Sequence, residues 1–169
     1  MTIRLEQCTN IEASPAAVWE TIEPLDRHVD WMADAAEITF VGEQRTGVGT
    51  VLECLTRLGP LHTRDRMEVT EWQPGASMSI AHRGAVTGTG RFRLRAHGTG
   101  TRICWDEELR FPWWMGGPAG ERAAAPVLRR IWAGNLDRLA ALVERAGPQA
   151  APDTSTGETA AGSRDRSAE

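Results

Sequence analysis

From Val48 to Phe111 the chain is a succession of short segments in which apolar and polar residues alternate, each ended by glycine or proline. Period-two alternation is the mark of strands with one buried face, and turn residues at each break make neighbours antiparallel. After Phe111-Pro112-Trp113-Trp114 comes one long helical segment. A meandering sheet with a single helix across its concave face encloses a cavity. The expectation is therefore a protein that holds something apolar.

The individual elements follow from local signals. Ile3 to Ile11 is expected as a first strand. Ser14-Pro15 then supplies an N-cap and a proline at the first helical position, where its missing N–H is harmless. Ala17, Val18, Trp19 and Ile22 give that short helix its apolar face, Pro24 ends it, and Leu25 to Met32 reads as a second short helix or turn. Trp31 and Met32 are expected under the sheet. Strands are expected at Glu37 to Val41, Val51 to Leu58, Thr63 to Trp72, Ser77 to Arg83, Gly90 to His97 and Arg102 to Phe111. Gln73-Pro74-Gly75-Ala76 has the proline and glycine of a type II turn.

The last hairpin allows a register to be written. With Thr99 and Gly100 as its two loop residues, Arg93 faces Asp106 and Arg91 faces Glu108. Phe92, Leu94 and Ala96 then share the other face with Glu107, Trp105 and Ile103. Opposite charges outside and apolar groups inside are what a half-exposed antiparallel sheet requires. The terminal helix is expected from about Pro118 to Ala146. Leu128, Ile131, Trp132, Asn135, Leu139, Leu142 and Val143 form its stripe, Pro126 should kink or restart it, and Gly147-Pro148 stops it.

At 169 residues the chain suits one domain, expected over 1–147. Residues 148–169 carry no large apolar side chain and are expected to be a disordered tail. A net charge of −4, with every basic residue an arginine, gives no basic footprint for nucleic acid. Cys8, Cys54 and Cys104 are odd in number and widely spaced, without a CxxC pair, so three buried reduced thiols are expected rather than a zinc or redox site. With no secretory segment and no long apolar run, a cytoplasmic location is expected and no integral membrane span. The oligomeric state is left open.

The order of strand, two short helices, six strands and a long helix resembles the START-like helix-grip (SRPBCC) superfamily, which includes polyketide cyclases/dehydrases and lipid-transfer domains. The residues that carry the resemblance are Ser14-Pro15-Ala16-Ala17-Val18-Trp19, Gly47-Val48-Gly49-Thr50 and Glu68-Val69-Thr70-Glu71-Trp72-Gln73-Pro74-Gly75, with the terminal helix. It spans roughly residues 3 to 146. It implies an α+β fold: a curved antiparallel sheet of about seven strands wrapped around the C-terminal helix, with a cavity between them. No metal and no organic cofactor are implied.

Alternation puts Thr56, Asp65, Met67, Val69, Met78, Ile80, His82, Phe92, Leu94, Trp105, Glu107 and Leu109 on the cavity face. Asp65, His82 and Glu107 stand out, because an inward charge is costly unless paired or hydrated. As an acid/base set they would serve enolisation or dehydration of a polyketide-like substrate. The plainer reading sets them at a wet mouth. Trp113 and Trp114 are read as a lid, an anchor for an apolar surface, or packing against the helix start. Arg122, Arg129 and Arg130 could meet an anionic head group, although each alone reads as a surface residue. The four histidines and three cysteines show no metal-ligand spacing. Three functions follow: binding of an apolar, lipid-like or polyketide-like molecule; a cyclase/dehydrase-type enzyme; and an interaction module.

Overall fold

The computed structural model describes residues 2–59 and 61–147, so the expected tail at 148–169 lies outside the described residues. The strands are β1 (Ile3–Ile11), β2 (Ala35–Val41), β3 (Val51–Leu58), β4 (Leu61–Gln73), β5 (Ser77–Arg83), β6 (Thr87–His97) and β7 (Gly100–Arg110). Two α-helices, α1 (Pro15–Ile22) and α2 (Gly117–Ala146), and two short 3₁₀ helices, Leu25–Asp30 and Trp113–Met115, complete the chain. The seven strands form one antiparallel sheet in the order β1-β7-β6-β5-β4-β3-β2. This is the helix-grip arrangement.

Local chemistry explains the framework. Ser14 Oγ accepts the Ala17 N–H at 3.2 Å, capping α1 ahead of Pro15. In the β4–β5 turn the Ala76 N–H donates to the Gln73 carbonyl at 2.9 Å, and Gly75 takes the positive φ of 73° that a side chain would resist. The α2 helix runs through Pro126 as one element, so it does not restart there. Asn135, a polar member of its stripe, is fully buried because it latches the helix to the segment before β2. Its Oδ1 accepts the Ala33 N–H at 3.0 Å, and its Nδ2 donates to Asp34 Oδ1 at 2.7 Å. Arg138 Nε adds a bond to the Trp31 carbonyl at 2.9 Å.

Two expectations are corrected. The β6–β7 loop is Gly98-Thr99, not Thr99-Gly100: His97 pairs with Gly100, Arg93 with Cys104 and Arg91 with Asp106. Gly98 takes a positive φ of 59°, whereas Gly100 is a strand residue. A Cβ at Gly100 would lie 2.3 Å from the Ile11 carbonyl oxygen, so the absent side chain admits the end of β1. The slip of two residues keeps the faces. Arg93 still reaches Asp106 diagonally, at 2.6 Å, but Arg91 pairs with Glu71 and Glu108 with Arg4.

The second correction concerns the thiols. Cys8 and Cys104 face each other across β1 and β7 on the outer side and form a disulfide, leaving Cys54 as the free, buried cysteine. Three reduced thiols are thereby excluded, and the cysteine argument for a reducing compartment falls with them. No helix among the described residues is long and apolar enough to cross a membrane.

Candidate functional site

The way α2 meets the sheet opens a space on the concave side. The helix packs chiefly along β1, and to a lesser extent β7. Its C-terminal half fills the interface with Leu136, Leu139 and Val143. Of the small residues in its N-terminal half, Ala124 lines the space below, while Ala119 and Ala123 are exposed. Beneath that half lies a cavity of about 320 Å³. Its walls come from β2 to β7, from the 3₁₀ helix Leu25–Asp30, and from Ala124, Val127, Leu128 and Trp132 of α2. A volume of this size suits a small organic molecule.

Of the residues expected on this face, Thr56, Asp65, Met67, Met78, Ile80, His82, Phe92, Trp105, Glu107 and Leu109 line the cavity. Val69 and Leu94 are buried but belong to the packed core instead. Trp113 and Trp114 do not line it either. They are 86% and 55% exposed. Arg122, Arg129 and Arg130 are exposed on α2.

The polar residues converge on one wall. Glu107 is 5% exposed and its Oε1 accepts the Trp105 indole N–H at 2.8 Å. Its Oε2 lies 3.4 Å from His82 Nε2, an ion-pair distance at which the hydrogen bond is not formed. Neither of those two atoms has a hydrogen-bond partner among the described residues. Burial works against a charge on His82, but the Glu107 carboxylate and then Asp65 favour it. The balance holds the imidazole above its ordinary 6.5. Asp65 is 4% exposed and its Oδ1 accepts the Ala85 N–H at 2.6 Å.

Both carboxylates occupy space that a glycine leaves open. Gly90 stands opposite Glu107 in the β6–β7 register, and a Cβ there would approach Glu107 Oε1 to 2.5 Å. A Cβ on Gly84 would fall 1.8 Å from Asp65 Oδ1. The sequence pattern already contained these glycines, but only their placement explains them.

Sequence reasoning missed four polar residues on the lining: His28, Asp34, Thr63 and Arg91. His28 is buried in the 3₁₀ helix with its Nε2 2.7 Å from the Ile22 carbonyl, which as an acceptor fixes the proton on that nitrogen. Burial lowers its pKa to about 4, so the ring is neutral. Arg91 turns its guanidinium to Glu71, 2.9 Å away. No sequence period covers His28 or Asp34, because neither lies in a regular strand or α-helix.

Around this polar wall the lining is aromatic and aliphatic. Phe92 and Trp105 have ring centroids 5.1 Å apart, and Trp105 and Trp132 lie 5.4 Å apart. The arrangement can seat a flat apolar body against the His82 imidazole.

Comparison with known proteins agrees with the fold. The family model described as polyketide cyclase / dehydrase and lipid transport matches residues 2–144. No curated protein matches the chain in sequence. Several solved structures share the fold. One from Thermus thermophilus has a TM-score of 0.69 at 18% identity, covering 87% of this chain and 99% of that one. The Zhui aromatase/cyclase of a Streptomyces species has a TM-score of 0.70 at 15% identity, covering 88% and 100%. Norcoclaurine synthase of Thalictrum flavum has a TM-score of 0.66 at 16% identity, covering 88% and 90%. At these identities the likeness is one of fold.

Proposed function

Since this chain belongs to the polyketide cyclase/dehydrase and lipid transport family, we propose that it binds an apolar, ring-bearing small molecule in the cavity and moves a proton on it through His82. The observation that supports this reading is the His82–Glu107 pair, buried 3.4 Å apart inside a cavity otherwise lined mainly by apolar groups. A buried imidazole whose charged form is favoured by a neighbouring carboxylate is suited to act as a general acid. The imidazolium would pass a proton to a substrate oxygen, either a carbonyl that enolises or a hydroxyl that leaves as water, and the α-proton lost in either case would go to the Asp65 carboxylate on the same lining. Glu107, held by the Trp105 N–H, would orient the ring and favour its charged form. Phe92, Trp105 and Trp132 would hold the body of the substrate by face and edge contacts.

A carrier without chemistry is the second reading, favoured by the apolar character of most of the lining. One experiment separates the two. A naphthyl β-diketone is titrated against the intrinsic tryptophan fluorescence, and exchange of its α-protons into heavy water is followed by NMR. The enzyme reading expects quenching by both the wild-type protein and His82→Ala, with faster exchange only in the wild type. Quenching with no acceleration by either protein would favour the carrier. Exchange that survives unchanged in His82→Ala would remove the role given to His82.

A further inference from the structure

The charges lining the cavity do not balance. Three carboxylates face it, Asp34, Asp65 and Glu107. Of the basic groups on the lining, His28 is held neutral by burial and Arg91 is engaged by Glu71. That leaves His82 alone to answer three acids, and it lies against Glu107. Asp34 is met by the Asn135 amide and Asp65 by the Ala85 N–H, both of them neutral donors. Among the described residues neither has an ion-pair partner. Glu107 Oε2, on a side chain that is 4% exposed, has no hydrogen bond.

Uncompensated carboxylate in an apolar cavity is costly, and a cation of opposite sign relieves it. A shared metal ion is a poor match, because no three of the cavity's carboxylate and imidazole groups converge within ligand range of one another. The sole cluster that does so among the described residues is Glu6 with the disulfide-bonded Cys8 and Cys104, on the outer face. A cation carried on an organic body fits better. Its charge would meet the acidic wall while Phe92, Trp105 and Trp132 take its apolar part, their faces themselves favouring a cation.

We propose that the ligand of this cavity carries a protonated amine on an apolar, ring-bearing body, with Asp65 as its principal counter-charge. This rests on the cavity being the binding site, and it narrows the class of molecule that enters.

The test compares three probes of one shape: naphthylethylamine, naphthylethanol and naphthylacetate. Each is titrated calorimetrically near neutral pH against the full chain. The amine should bind about ten-fold or more tightly than the alcohol, as a charged hydrogen bond in a buried site allows, and the acetate most weakly. In Asp65→Asn, with folding checked by circular dichroism, the preference for amine over alcohol should shrink to about three-fold or less. If that variant fails to fold, Asp34→Asn should reduce the same preference in part. Equal binding of amine and alcohol by the wild type would overturn the cationic-ligand proposal while leaving the cavity as an apolar site. Tightest binding of the acetate would do the same. Failure of all three probes to bind would instead overturn the cavity reading itself.

Discussion

Two histidines line one cavity and are shifted in opposite directions: burial lowers the pKa of His28 to about 4, and the Glu107 carboxylate raises that of His82. His28, in the short helix after α1, gives its Nε2 proton to a backbone carbonyl at 2.7 Å and is surrounded by Trp31 and Phe92 rings. His82, on β5, faces the Glu107 carboxylate at 3.4 Å. Both are largely buried, so desolvation opposes charge in both. The partner decides the outcome. A neutral carbonyl leaves burial dominant and the ring uncharged, whereas a carboxylate reverses the balance. One end of the cavity therefore holds a neutral, packed ring and the other a ring whose charged form its carboxylate favours.

The contrast is broken most directly by removing each ring in turn. His82→Ala should lower proton transfer to a bound β-diketone by about 10²–10⁴-fold, the usual weight of a positioned acid or base, while changing affinity little. His28→Ala should do the reverse. It should lose about 3 kcal/mol of stability in urea denaturation, since it opens a hole between aromatic rings and orphans the Ile22 carbonyl. Its turnover should fall only as the folded fraction falls.

Acid sharpens the same comparison. The folded pKa of His28 lies below its unfolded value, so its contribution to stability is present above about pH 6.5. It is lost as the pH falls towards about 4, on the order of 3 kcal/mol in all. His82 has the opposite sign. Its contribution is full below 6.5 and is lost as the pH rises through its raised folded value. Denaturation curves collected across this range should show the acid-side loss disappear in His28→Gln and the alkaline-side loss disappear in His82→Gln. The smallest effect is expected at the rim. Trp113→Ala should alter stability by about 0.5 kcal/mol or less, because that indole is 86% exposed and outside the lining.

The sequence carried the sheet because alternation reports which face a residue occupies. That is why Asp65, His82 and Glu107 were legible as inward groups before any distance was known. Alternation is blind to a slip of two, which preserves every face, and the β6–β7 register was misread in that way. The same blindness hid the Cys8–Cys104 bridge, since two cysteines 96 residues apart meet only once the register is fixed. His28 and Asp34 sit in irregular segments where no period tells inside from outside. Val69 and Leu94 obey the alternation, yet face core instead of cavity, because period alone does not say what lies opposite.

The measurement that goes to the centre of the account is an NMR titration of the imidazole rings in the wild-type chain and in Glu107→Gln. The wild type should show His82 titrating above 6.5 and His28 remaining neutral down to about pH 4. In Glu107→Gln the His82 midpoint should drop, because burial stays and the carboxylate is gone. A His82 midpoint below 6.5 in the wild type, or one that Glu107→Gln leaves in place, would contradict the charged pair on which the proposed chemistry depends.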